Sequence, residues 1–150
     1  MLAGTVASHM IDTVVLATDG SESVRRAVAV ALDLADRFET TVYALYVVDV
    51  GEVESAPETV REEVREALFE QGELAVADIE RSTESKVRTT VREGRPAAEI
   101  CAYAREVDAD IVATGTRGRH GENRFLIGSV AERVVRTCPR PVLTVRQLDG

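Results

Sequence analysis

The chain has 150 residues, is 45% hydrophobic and carries 26 acidic against 18 basic residues. That is enough for one domain with a continuous core, and no apolar run approaches the roughly 20 residues that cross a bilayer. A net charge of −8 argues against a general nucleic-acid binder, which needs a basic face. No signal-peptide pattern opens the chain, so the expectation is a soluble cytoplasmic protein without nucleic-acid or membrane partners.

Of the basic residues only Lys86 is a lysine; the other 17 are arginines. An acidic, lysine-poor surface resembles that of proteins from salt-loving organisms, where high ionic strength screens self-repulsion. Cys101 and Cys138 form no CxxC pair and sit in apolar helical patterns, as buried small hydrophobes do. Residues 1–9, MLAGTVASH, have no strand or helix period. They are expected to be an expression leader, with Met10 as the natural start and the domain running over 10–150.

Two periods alternate from Asp12 onward. Thr13–Thr18 is a short β-branched run and predicts the first strand. Apolar residues from Val24 to Phe38 recur at three and four, the spacing of one helix face, and Ser21 or Ser23 can cap that helix. Thr41–Val48 predicts the second strand, 51–57 a loop, and about 58–81 a second helix. The inner stripe of that helix is expected at Val60, Val64, Ala67, Leu68, Leu74, Ala75 and Ile79. Gly72 lies in its middle, where glycine costs about 1 kcal/mol relative to alanine.

Lys86–Val91 predicts the third strand, and Gly94 with Pro96 opens a helix carrying Ala97, Ile100, Cys101, Ala104 and Val107. Asp110–Thr114 predicts the fourth strand. The last helix is expected to bury Ile127, Val130, Ala131, Val134, Val135 and Cys138 before Pro139 stops it, and Pro141–Arg146 predicts the fifth strand. Near-continuous apolar strands joined by helices imply a parallel sheet buried on both faces. Right-handed crossovers make it an open, doubly wound, Rossmann-like α/β domain. Its ligands sit beyond the carboxyl ends of the strands, where strand order reverses.

Four of the ten glycines fall in GTRGRHGENRFLIGS, residues 115–129. Gly115 follows the fourth strand and Gly128-Ser129 opens the last helix. Glycines there let main-chain N–H groups approach a ligand, and a helix N-terminus adds unpaired N–H groups and partial positive charge. Together they suit phosphate. Ser129 can cap the helix or donate its hydroxyl to a phosphate oxygen. Arg117, Arg119 and Arg124 can add charge, but exposed loop arginines are ordinarily just solvated. Asp19, in ATDGSES, ends the first strand; its carboxylate can accept from ribose hydroxyls, help hold Mg²⁺ through phosphates, or simply build the Asp-Gly-Ser turn.

Sharper motifs are absent: no GxxxxGK[ST] loop, no GxGxxG after the first strand, and no histidine besides His9 and His120. His120 is either a general base or an exposed bystander.

The spacing Gly115-x2-Gly118-x9-Gly128-Ser129 is that of the G-x2-G-x9-G-[ST] signature of the universal stress protein family. ATDGSE (17–22), YVVD (46–49), EGRPAAEI (93–100) and GSVAERVVRTCPRPVLTV (128–145) also resemble that family. The resemblance implies a five-stranded sheet of order 3-2-1-4-5 and a homodimer built through strand 5, Pro141–Arg146. The full glycine signature marks the ATP-binding branch. By position, Asp19 then meets ribose or phosphate-bound Mg and the Val47 backbone meets adenine. Gly115, Gly118, Gly128, Ser129 and the Val130 backbone hold ribose and phosphates. The expected function is an ATP-binding, nucleotide-dependent stress sensor or regulator, with AMP or ADP as other nucleotides of the site. The alternatives are a slow ATPase or phosphotransferase and a nucleotide-free dimerisation module.

Overall fold

The computed structural model describes residues 11–117 and 127–148. Five parallel strands, β1 (Thr13–Thr18), β2 (Thr41–Asp49), β3 (Val87–Gly94), β4 (Ile111–Gly115) and β5 (Val142–Val145), lie in the order β3-β2-β1-β4-β5. The helices are α1 (Arg25–Phe38), α2 (Val50–Ser55), α3 (Arg61–Arg81), α4 (Pro96–Glu106) and α5 (Ser129–Thr137), with short 3-10 turns at Glu22–Val24 and Glu58–Val60. The doubly wound α/β sheet, and its strand order, are as expected.

Side chains alternate across the sheet, and each face builds its own core. Val14, Leu16, Val42, Ala44 and Tyr46 pack against Ala31 and Ala35 of α1 and against Leu68, Val76 and Ile79 of α3. Val15, Ala17, Leu45 and Val112 pack against Ala97, Ile100, Cys101 and Ala104 of α4 and Val134 of α5. Both cysteines are free and buried within this second core. Burial in apolar surroundings holds the Cys101 thiol above its ordinary pKa.

The structure corrects several expectations. The loop after β2 contains a two-turn helix, α2, whose start is capped by Asp49: its Oδ1 accepts from the Gly51 N–H at 2.9 Å. Of the expected inner stripe of α3, Leu68 and Ile79 are buried and Val64 and Ala75 pack against the core, Gly72 and Val76 join them, and Leu74 is 60% exposed. A Cβ on Gly72 would lie 2.6 Å from Tyr46 Cδ1 and 3.0 Å from Val91 Cγ1. The glycine therefore lets α3 sit close on the sheet, and the helix runs through it unbroken. Phe38, Val130 and Val135, expected to face inward, are also exposed.

Neither Ser21 nor Ser23 caps α1 through its side chain. A residue 121 positions away does so instead: Gln147 Oε1 accepts from the Arg26 N–H at 2.9 Å. The α1 C-terminus closes without glycine, with Glu39 left-handed at φ 55° and the Thr40 N–H bonded to Ala35 O at 2.9 Å.

Candidate nucleotide site

A cavity of about 260 Å³ lies beyond the carboxyl ends of β1, β2 and β4, at the point where strand order reverses. Its walls come from the ends of those strands, from α2, and from the first turns of α4 and α5. Ala17, Leu45, Val47, Pro96 and Ile100 form apolar wall, while Asp19, Asp49, Glu52, Arg117 and Ser129 carry its polar groups.

Asp19 is held by the turn that follows β1. Its Oδ1 accepts from the Ser21 N–H at 2.9 Å and from the Ser21 hydroxyl at 2.6 Å. Thr18 Oγ1 accepts from the Gly20 N–H at 3.0 Å, and Gly20 is left-handed at φ 77°, where glycine is unstrained. These bonds fix the carboxylate at the cavity wall and use only one of its oxygens. The Asp-Gly-Ser turn and the position facing the cavity are thus both real features of this residue.

Gly115 has a packing reason of its own. A Cβ there would lie 3.0 Å from Val24 Cγ1 and 3.3 Å from Ser23 O. The glycine lets the turn leading into α1 close over the end of β4, and Val24 and Gly115 line the cavity side by side.

At the other side α5 begins. Gly128 is its N-cap in extended conformation, φ −80° and ψ 168°, and among the described residues no side chain caps the helix. The Gly128 N–H is bonded to Thr116 O, so this amide is spent inside the protein. The first bond within the helix runs from the Glu132 N–H to Gly128 O at 2.9 Å. The N–H groups of Ser129, Val130 and Ala131 therefore have no carbonyl within the helix to bond. All three residues line the cavity. The positive end of α5 is thereby presented to the cavity.

Of the residues expected at a ligand site, Asp19, Val47, Gly115, Ser129 and Val130 line one cavity. Gly128 stands one residue outside its wall, and Gly118, with Arg119, His120 and Arg124, lies outside the described residues. Pro96, Ile100 and Glu52 reach the wall from α4 and α2, and no site motif names them. The only signal for Pro96 was its place at a helix start, beside the same strand edge. The lining has, among the described residues, three carboxylates and one guanidinium, so the helix amides are its main attraction for a polyanion there. Among the described residues no group of three or more His, Cys, Asp or Glu side chains can hold a metal ion.

A model of the universal stress protein family matches residues 10–146. Universal stress protein MJ0531 of Methanocaldococcus jannaschii is 39% identical over 143 residues, which cover 93% of this chain and 84% of that one. Among solved structures, that of the hypothetical protein MJ0577, determined to assign its biochemical function, aligns with a TM-score of 0.83 at 26% identity. The alignment covers 95% of this chain and 100% of that one. A universal stress protein from Archaeoglobus fulgidus, solved in complex with dAMP, aligns with a TM-score of 0.63 at 22% identity, over 92% of this chain and all of its own. That likeness is one of fold. Signature, topology and relatives agree: the chain belongs to the universal stress protein family.

Proposed function

We propose that the cavity at the strand-order reversal binds an adenine nucleotide, ATP in the first instance, and that the protein acts as a nucleotide-dependent stress sensor or regulator. The observation that carries the reading is the pairing of two unlike walls in one cavity. Apolar surface from Ala17, Leu45, Val47 and Ile100 suits a flat base, and the open amides of Ser129, Val130 and Ala131 suit a phosphate chain. The dAMP bound by the Archaeoglobus fulgidus relative supports an adenine nucleotide as the ligand class.

In this reading the Val47 backbone meets the adenine edge. Asp19 accepts from the ribose or orients Mg²⁺, and Gly115, Gly118, Gly128, Ser129 and Val130 form the rest of the ribose and phosphate shell. Bound Mg²⁺ neutralises phosphate charge. With Asp19, Asp49 and Glu52 in the wall, a metal-bound nucleotide fits better than a bare tetra-anion. In this reading the chain itself orients and desolvates the nucleotide. Among the described residues β5 is an edge strand bonded to β4 alone, and such edges invite a further strand. We take Pro141–Arg146 as the homodimer seam of a protein working in the cytoplasm.

Calorimetric titration with Mg-ATP tests the reading. Saturable binding of one nucleotide per chain, recovered intact, supports a sensor. Recovery of ADP and phosphate replaces it with the ATPase. No heat and no rise in melting temperature at millimolar nucleotide removes it. Sedimentation equilibrium tests the dimer, which a monomer at all concentrations contradicts.

A further inference from the structure

A second, wider groove of about 650 Å³ continues from the candidate nucleotide cavity between α4 and α5. The two share Asp49, Pro96, Ser129 and Val130, so the groove starts where the phosphate-facing amides of α5 end. Beyond that junction it is lined by Arg95, Ala98, Glu132, Arg133, Arg136 and Thr137.

The charge of this groove is opposite to that of the molecule. The chain carries a net charge of −8, yet three arginines face one groove. Arg136 is paired with Glu132 one turn back on α5. Arg95 and Arg133 have no carboxylate partner among the described residues. Asp49 and Glu132 also line the groove, so among the described residues its lining carries three guanidinium groups against two carboxylates. The first turn of α4 adds to this: its first internal bond runs from the Glu99 N–H to Arg95 O at 2.9 Å, leaving the Ala97 and Ala98 amides without a carbonyl in the helix. Unpaired guanidinium groups beside open amides recognise phosphate, and a guanidinium plane also stacks on a nucleobase.

We infer that the groove between α4 and α5 is a second anionic subsite continuous with the nucleotide cavity, and that the two together take a dinucleoside polyphosphate. This rests on the nucleotide reading of the first cavity. One nucleoside occupies that cavity, the phosphate chain passes Ser129 and Val130, and Arg95 and Arg133 hold its far phosphates and the second nucleoside. A mononucleotide fills only the first part and leaves these arginines in water.

The test is calorimetry at low ionic strength with ATP and with P1,P4-di(adenosine-5′) tetraphosphate, on the full chain and on the double variant Arg95→Gln/Arg133→Gln. The expected result is that the dinucleotide binds about tenfold more tightly than ATP, a preference worth one decade in Kd. The double variant loses that preference while its ATP affinity stays within about twofold, well inside what loss of exposed charges allows. Unchanged ATP binding also shows the variant folded. Equal affinity of the full chain for both ligands overturns the subsite and leaves the nucleotide reading standing. Equal weakening of both ligands in the variant also overturns it, because the arginines then belong to the first cavity. Binding of neither ligand overturns both readings.

Discussion

The two faces of the sheet are built for different tasks. On one, α1 and α3 run 14 and 21 residues, about 21 and 32 Å at 1.5 Å per residue, and the long one is drawn onto the sheet over Gly72. On the other, α4 and α5 have only 11 and 9 residues, and their N-terminal residues Pro96 and Ser129 line the cavity. Both cavities described above open on this second side. A parallel sheet must be covered on both faces, but the cover need not be equal. The closed face supplies burial, and the shorter helices leave the carboxyl edge open with their N-termini directed at it. Stability and binding are therefore expected to separate under mutation.

The largest effect expected is at the closed face. Gly72→Leu drives a side chain into Tyr46, which is 1% exposed, and overpacking of this kind costs about 3 kcal/mol. Urea unfolding should show it, with nucleotide affinity of the folded fraction unchanged. A stable Gly72→Leu protein would mean that α3 is not held to the sheet as described.

Next, Ser129→Glu puts a carboxylate at the first position of α5, on the cavity wall. Repulsion of phosphate should weaken Mg-ATP binding by about thirtyfold, roughly 2 kcal/mol. The same charge at a helix N-terminus should hold or raise the melting temperature, since it favours the helix by about 0.3–1 kcal/mol. A fall in stability with binding intact would reverse the division between faces.

Gly115→Ala sharpens the comparison because it touches both properties. Its Cβ meets Val24 Cγ1 at 3.0 Å, so the turn before α1 must shift. A loss of about 1 kcal/mol of stability is expected, together with weaker nucleotide binding, both measurable on one sample. Smallest is Gln147→Ala, which removes the acceptor for the Arg26 N–H and should cost about 0.5–1 kcal/mol without touching affinity.

Much of this division was legible in the sequence. The strand runs and the glycine spacing give fold class and the edge where ligands bind, and Asp19, Val47, Gly115, Ser129 and Val130 do converge there. What was not legible depends on partners distant in sequence. Gly72 weakens a helix on propensity, and only the Tyr46 ring above it explains why it is kept. Leu74 fits an apolar period, yet the helix is rotated so that Gly72 and Val76 face the sheet. The helix α2 has one buried residue, Val53, too few to show a stripe. β3 runs to Gly94 because its neighbour β2 continues to Asp49 opposite it, which no local pattern announces. Of the groove arginines, Arg95 is the N-cap of α4 and Arg133 lies 38 residues on, in α5, and only the packing of α4 beside α5 brings them to one groove.

The central claim is that the open amides of α5 receive a nucleotide's phosphates. Amide chemical shifts of Ser129, Val130 and Ala131, followed by NMR during parallel titrations with Mg-ATP and with adenosine, test it most directly. The account predicts large, saturable shifts at these three amides with Mg-ATP and small ones with adenosine, while Val47 responds to both. Unmoved α5 amides under saturating Mg-ATP, or equal shifts with adenosine, would contradict it.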